Sequence, residues 1–378
     1  MIQLELDTLF SPRKIGNVEI KNRIVRSATY TRSATDDGYV TDKLIKYYND
    51  LAQGGAGLII TGIVSIDEVG KAGRGQACLY DDSYIGGQKK LVDAVHEYPN
   101  IKIAPQLSHA GRQGRILVAP SPVLFQATQK MPRELTNDEI HDVINNYIKV
   151  GLRAYECGYD MVQLNAGHGW LLCNFLSPYT NKRSDEFGGD LQNRTKILVD
   201  IYNGIADEVG KEFPIMVKLQ TQDFIEGGLT LEEGKDIAKI LVNTGYAAIE
   251  PSGGSGDTLR TPGKNYPSIV VKSEEDENYF LPTVNELKPI MKNSKIILMG
   301  GVRNPFTAEK LLQENKADFI AMSRPLICEP DLPNRWKSGD FSPPLCNSCN
   351  SCYMSVLSGS VKCTIKKKLI RQRQKEEK

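Results

Sequence analysis

The architecture is written most plainly in Lys295-Ile-Ile-Leu-Met-Gly-Gly-Val-Arg-Asn-Pro-Phe-Thr-Ala-Glu-Lys-Leu-Leu-Gln-Glu-Asn-Lys-Ala-Asp-Phe-Ile-Ala-Met-Ser-Arg324. An apolar run, Lys295–Met299, stops at the pair Gly300-Gly301. Asn304-Pro305 then gives a helix cap followed by proline at the first helical position. A second apolar run, Asp318–Ala321, ends at Ser323-Arg324. Strand, helix, strand in this space is a parallel βαβ unit.

Working outward, the same rhythm repeats. Earlier apolar runs are Arg23–Val25, Gly57–Ile66, Ile101–Leu107, Asp160–Leu164, Pro214–Leu219 and Ala247–Ile249, making eight with the two above. Most are near-continuously hydrophobic, as strands covered on both faces must be. Helix starts lie between them: Thr136-Asn-Asp-Glu139 and Thr230-Leu-Glu-Glu233 are capping boxes. From Ile140, apolar residues recur at Val143, Ile144, Tyr147, Ile148, Leu152 and Tyr155, one helix face with a period near 3.6. Eight strands alternating with helices predict an α/β protein, a (β/α)₈ TIM barrel over residues 1–340. A short segment, 341–378, follows it with a cysteine cluster and a basic tail. Two long excursions, Ser108–Met131 and Gly253–Phe280, follow strands. In such a barrel those loops build the active-site face.

Composition fits one large domain of 378 residues with 40% apolar side chains. A formal net charge of +1 supplies no global field for nucleic acid or membrane. Nothing approaches the ~18 consecutive apolar residues of a membrane span. The first ten residues carry Glu5 and Asp7 and no basic side chain, unlike a secretory signal, so the cytoplasm is the default expectation. The oligomeric state stays open.

Three small-residue turns follow late strands: Pro251–Ser255, Gly300-Gly301 and Ser323-Arg324. Barrel enzymes often hold phosphate at the loops after strands seven and eight, where glycine admits close backbone approach and arginine adds a planar charged fork. No Gly-x-Gly-x-x-Gly opens a helix after a strand, which argues against a separate dinucleotide-binding domain. Lys218 sits inside an apolar strand, Ile215–Leu219, where an unpaired cation would be costly.

Of eight cysteines, Cys78, Cys157, Cys173 and Cys328 are scattered. Cys346, Cys349, Cys352 and Cys363 fall close together as C-x₂-C-x₂-C-x₁₀-C. In a large chain with no secretory signal this spacing reads as a metal site, a [4Fe–4S] cluster ahead of structural zinc.

Several motifs in order resemble the old yellow enzyme (NADH:flavin oxidoreductase) family. They are Leu9-Phe-Ser-Pro, Lys21-Asn-Arg-Ile-Val25, Gly54-Gly-Ala-Gly-Leu-Ile-Ile60, Gln106-Leu-Ser-His-Ala-Gly-Arg112 and Asn165-Ala-Gly-His-Gly-Trp-Leu-Leu172. The stretch Phe175–Gly189 resembles the loop after that fourth-strand motif, and the likeness runs from about Leu9 to Arg324. The resemblance implies FMN on the C-terminal face of the barrel. Ser27, Ala28 and Thr29 would line it through backbone atoms. Gln106 would bond the pyrimidine edge, Lys218 would lie near N1 and O2, and Gly300, Gly301, Ser323 and Arg324 would surround the phosphate. The cysteine segment is similar to the family's iron–sulfur branch, that of trimethylamine dehydrogenase and 2,4-dienoyl-CoA reductase, without their C-terminal nucleotide-binding domains.

The resemblance further implies reduction of an activated C=C bond in an enone or enoate. NADH or NADPH is the reductant, and hydride leaves flavin N5. Asn165 and His168 match the pair that holds the acceptor oxygen, with asparagine where the family usually has histidine. Trp170 stands where the family usually has the tyrosine that donates a proton. An indole cannot replace a phenol as an acid, so Trp170 reads as a substrate platform and Tyr30 as a candidate donor. The cluster would relay electrons. The stretch Lys362–Lys378, with eight basic residues and two acidic ones, would be a solvated helix or a dock for an acidic carrier such as ferredoxin. Two rival readings stand beside this one. The first is a dehydrogenase or demethylase passing electrons outward. The second is a non-catalytic electron-transfer or zinc-stabilised binding protein.

Overall fold

Each apolar run becomes a strand of one closed sheet in the computed structural model, which describes residues 6–260 and 268–376. The strands are β1 (Ile24–Arg26), β2 (Leu58–Ser65), β3 (Lys102–Ser108), β4 (Val162–Ala166), β5 (Ile215–Gln222), β6 (Ala248–Gly253), β7 (Lys295–Leu298) and β8 (Phe319–Met322). Every neighbouring pair is parallel, and β8 pairs with β1 to close the ring. This is the expected (β/α)₈ barrel. All but β2 and β7 outrun the apolar runs at their C-terminal ends. There the inward side chains turn polar, and hydrophobicity no longer marks them.

The outer layer holds α1 (Asp42–Gln53), α2 (Ile85–His96), α3 (Asn137–Glu156), α4 (Leu191–Val209), α5 (Leu231–Thr244), α6 (Leu281–Leu287), α7 (Pro305–Gln313) and α8 (Leu332–Lys337). Both capping boxes form, and Asn304 caps α7 through its side-chain oxygen. The predicted face of α3 is buried at Ile140, Val143, Ile144 and Tyr147. Tyr155 is a correction: it is exposed, its ring set edge-on to Phe213. It lies in the last turn, where the helix leaves the sheet.

The apolar side chains divide into two cores. The larger lies between barrel and helices. The smaller fills the barrel with Val25, Leu58, Ile60, Ala104, Met161, Met216, Ala248, Ile297, Phe319 and Ala321. The N-terminal hairpin Arg13–Ile15/Val18–Ile20 plugs its lower end with Ile15 and Ile20. Phe319 is fully buried there, so truncation to alanine should cost about 3–5 kcal/mol. The barrel is a packed core below and a chemical site above.

Of the two excursions, the first holds a short 3₁₀ turn, Gly111–Gln113, and the strand Val118–Ala119, which pairs with Arg133–Glu134 just beyond it. The second holds 3₁₀ turns at Gly256–Arg260 and Glu274–Asp276, and its residues 261–267 lie outside the described residues. Beyond α8 come helices Ser351–Ser358 and Lys366–Glu376, and the last two residues of the basic tail lie outside the described residues. Among the described residues no helix is long and apolar enough to cross a membrane.

Candidate active site at the barrel mouth

Strand alternation carries the apolar core upward into a polar layer. Ala104, Met161, Met216 and Ala248 belong to the inner core. Two residues on, the same face presents Gln106, Gln163, Lys218 and Glu250; two more bring Ser108, Asn165, Gln220 and Ser252. Register aligns them, with Gln106 beside Gln163, Asn165 beside Lys218, and Lys218 beside Glu250.

These side chains form one chain of bonds. Gln106 Nε2 donates to Gln163 Oε1 at 2.7 Å, and Gln163 Nε2 donates to Glu250 Oε2 at 2.9 Å. Lys218 Nζ donates to Glu250 Oε1 at 2.8 Å and to Ser27 Oγ at 3.1 Å. Ser27 Oγ in turn donates to Glu250 Oε1 at 2.5 Å. Burial pushes the Glu250 carboxyl up, but the Lys218 charge and the bonds from Lys218, Ser27 and Gln163 outweigh it and hold the group below its usual range. The anion keeps the cation in place. Lys218 therefore presents a fixed positive charge at the mouth.

Above it stand two neutral hydrogen-bonding groups. Asn165 Nδ2 donates to Ser108 Oγ at 3.1 Å, while its Oδ1 is buried without a partner among the described residues. His168 sits in the left-handed region, φ 57°, between Gly167 and Gly169. Its carbonyl accepts from Gln113 Nε2 at 2.8 Å, and its Nε2 bonds to Ser252 Oγ. Burial, then the charge of Lys218, pushes its pKa down to about 3. At neutral pH the imidazole is uncharged.

On the far side, Thr29 Oγ1 meets Ser323 Oγ at 2.8 Å. Gly300 and Gly301 both take positive φ, 110° and 83°, and a Cβ on Gly301 would come within 3.0 Å of Val271. Arg324 donates to Ile269 O, Ser348 O and Asn350 Oδ1, all uncharged, so these bonds leave its charge without a carboxylate counterpart.

Comparison with known proteins follows this geometry. The model of the NADH:flavin oxidoreductase / NADH oxidase family matches residues 8–341. The chain belongs to that family. It is 36% identical over 373 residues to an NADH oxidase of Thermoanaerobacter brockii, covering 94% of this chain and 55% of that protein. A Listeria monocytogenes NADPH dehydrogenase is 33% identical, with 86% of this chain and 93% of that protein covered. A 2-naphthoyl-CoA reductase structure superposes with TM-score 0.85 at 29% identity, over 92% of this chain and 54% of that one. The chain thus spans about half the length of the first curated relatives it matches.

The family name implies a flavin, and the mouth fits one in part. A fixed cation, an orphaned amide oxygen and positive-φ glycines suit a ring edge and a phosphate. Ala28 packs on the inner core, beside Ser27 and Thr29. Arg324 would have to exchange its neutral oxygens for the anion.

Two proton-donor candidates fare differently from expectation. Tyr30 Oη is engaged as donor to Arg74 O at 2.5 Å, and burial raises its pKa to about 12. Both features disfavour release of the proton, and Tyr30 stands as a candidate donor whose hydrogen is already engaged. Trp170 is half-buried and sits at the N-cap of helix Leu171–Leu176, on the same loop as His168.

The cysteine segment also departs from expectation. Among the described residues no three His, Cys, Asp or Glu side chains are placed to hold a metal. Cys349 is exposed and its Sγ contacts Ser351 Oγ at 3.1 Å. Cys346 and Cys352 have thiols raised first by burial, and Cys363 bonds to Cys328. Cys346, Cys352 and Cys363 lie within electrostatic reach of one another, but among the described residues they are not gathered closely enough to hold a metal, so this arrangement does not fit a bound cluster or zinc.

Sequence reasoning missed Glu250, Gln163 and Ser252. The signal was present in Ala248-Ile-Glu-Pro-Ser252, where every second residue of a buried strand turns polar.

Proposed function

We propose that this chain is an NAD(P)H-dependent, FMN-binding oxidoreductase that reduces an activated C=C bond of an enone or enoate. The observation that carries the reading is the neutral pair Asn165 and His168 set above the locked cation Lys218. Bound FMN would supply hydride exchange between the nicotinamide and the acceptor. Every other element belongs to the chain. Lys218 would hold negative charge at the pyrimidine edge, with Gln106 beside it. Gly300, Gly301, Ser323 and Arg324 would take the phosphate.

Asn165 and His168 would donate to the acceptor oxygen as enolate charge grows on it. Such donors stabilise a transition state only if aimed in advance, and both are fixed here by protein bonds. Trp170 would lie flat against the acceptor. With Tyr30 bound to Arg74 O, water is the proton source this reading favours. An indole at Trp170 and an already engaged hydroxyl at Tyr30 equally support the reverse direction, a dehydrogenase or demethylase passing electrons to an external acceptor.

The spacing of Cys346, Cys349, Cys352 and Cys363 supports a place in the iron–sulfur branch, with an acidic carrier such as ferredoxin as partner. No step of the chemistry above depends on it. Iron and acid-labile sulfide near four per chain in anaerobically purified protein would support it, and zinc or no metal would dismiss it.

The direct test is absorbance of the purified protein with FMN, titrated with NADH and NADPH and then with 2-cyclohexenone. Bleaching by one nicotinamide and recovery on adding the enone are expected. Bound flavin that neither nicotinamide bleaches would favour the outward-electron reading, and failure to bind FMN would end both.

A further inference from the structure

We infer that Ser252 is a positioning residue that sets the tautomer of His168, a role that rests on the proposed use of His168 as an oxyanion donor. Ser252 lies on β6 two residues beyond Glu250 and is fully buried. Its backbone is pinned by Thr221 Oγ1, which donates to Ser252 O at 2.8 Å. Its hydroxyl meets His168 Nε2. No other bond of Ser252 Oγ or of the His168 ring is recorded among the described residues.

A neutral imidazole carries one N–H, and the bond made by one nitrogen decides which. Suppose Nε2 carried the hydrogen. It would donate to Ser252 Oγ, and the buried serine O–H would be left with no acceptor, which costs more than an unfilled lone pair. Suppose instead Ser252 donates to Nε2. Then the enclosed serine O–H is used, and the N–H moves to Nδ1, which has no protein partner but is not among the buried unpaired atoms, so solvent or a ligand at the mouth can accept from it. That arrangement leaves His168 with a hydrogen to give. The opposite tautomer would turn a lone pair towards whatever meets Nδ1, and it would repel a developing oxyanion.

The backbone beside His168 is also held: its carbonyl accepts from Gln113, and the following Gly169 packs closely enough on Ser255 that a Cβ there would come within 3.0 Å of it. The low pKa means the ring does not escape the choice by taking a second proton.

The experiment is nitrogen-15 NMR of the flavin-loaded protein labelled at histidine, where four residues give few signals. In the parent, His168 should report hydrogen on Nδ1. Ser252→Ala should move it to Nε2–H or a mixture, and Ser252→Thr should restore Nδ1–H. The turnover consequence is a fall in kcat on 2-cyclohexenone on the order of tenfold to a hundredfold for Ser252→Ala, with KM little changed and Ser252→Thr close to parent. A parent ring with hydrogen on Nε2, or a tautomer unmoved by Ser252→Ala, overturns the assignment. A tautomer that shifts while turnover does not would keep Ser252's role in positioning and refute His168 as the oxyanion donor.

Discussion

In the barrel mouth Lys218 reaches Glu250, on the neighbouring strand, at 2.8 Å; in the cysteine segment Cys349 reaches only Ser351, two residues along the chain, at 3.1 Å. The first contact joins residues brought together by the sheet. The second is local. Strands hold the mouth in place whether or not a ligand is present, because register and an apolar core fix each Cα. The thiols are only partly framed: Cys363 bonds to Cys328 beside the last barrel strand, but no metal-holding group is gathered among the described residues. Sites of that kind draw their order from the metal, so that binding and folding become one process. The two regions therefore promise opposite responses to substitution.

The largest effect should come from splitting the buried pair. Lys218→Met leaves Glu250 charged and uncompensated, at about 3–5 kcal/mol of stability. Denaturant unfolding measures it. The double variant Lys218→Met/Glu250→Leu should regain much of that stability, yet still fail to bind FMN. Recovery of both would show that the pair serves the fold alone and would break the contrast drawn above.

Next comes Asn165→Ala. It should lower kcat on an enone by about 10²–10³ while unfolding moves little, since a single preorganised donor contributes about that much. His168 adds a pH signature. Its pKa falls from an ordinary 6.5 to about 3, so the unfolded chain takes a proton that the native protein refuses. The sign follows: its contribution to stability is complete above pH 6.5 and is lost as the pH falls towards 3. Unfolding curves should lose stability over that window, and His168→Asn should flatten that slope.

How far sequence could be read differs between the regions for the same reason. The eight strands and the caps at Thr136, Thr230 and Asn304 were legible because hydrophobic period and capping chemistry are local. Lys218 was legible as an oddity in an apolar strand, but its partner was not, because Glu250 is 32 positions away and only the pairing of β5 with β6 joins them. The engagement of Tyr30 was not legible, because its bond to Arg74 O depends on how two loops meet. Cysteine spacing announces a metal and says nothing of how the thiols point before one arrives.

That last point is testable. If the segment gathers around iron, Cys346→Ser and Cys349→Ser should abolish iron content alike, although one thiol is buried and the other exposed. Retention of iron by Cys349→Ser alone would show that the present arrangement is already the working one.

The smallest effect belongs to the tail. From Phe341 to Lys375 the chain has no acidic residue, and Lys362, Lys366, Lys367, Lys368, Arg371, Arg373 and Lys375 lie within it. The preceding helix exposes Tyr353, Met354 and Leu357, at 69%, 59% and 66%. An exposed apolar patch, with a basic stretch following it in the chain, is the composition of a transient protein interface. Exposed charges steer encounter more than they bind, and salt screens them. Replacing Lys366, Lys367 and Lys368 by glutamine should therefore slow reduction by ferredoxin roughly several-fold at low ionic strength and hardly at all at high salt. NAD(P)H-driven turnover should be untouched, since none of these lysines is among the residues proposed to hold flavin or substrate. An equal loss at both ionic strengths would instead mean that the tail supports the fold. Then the segment would be as much a part of the scaffold as the barrel.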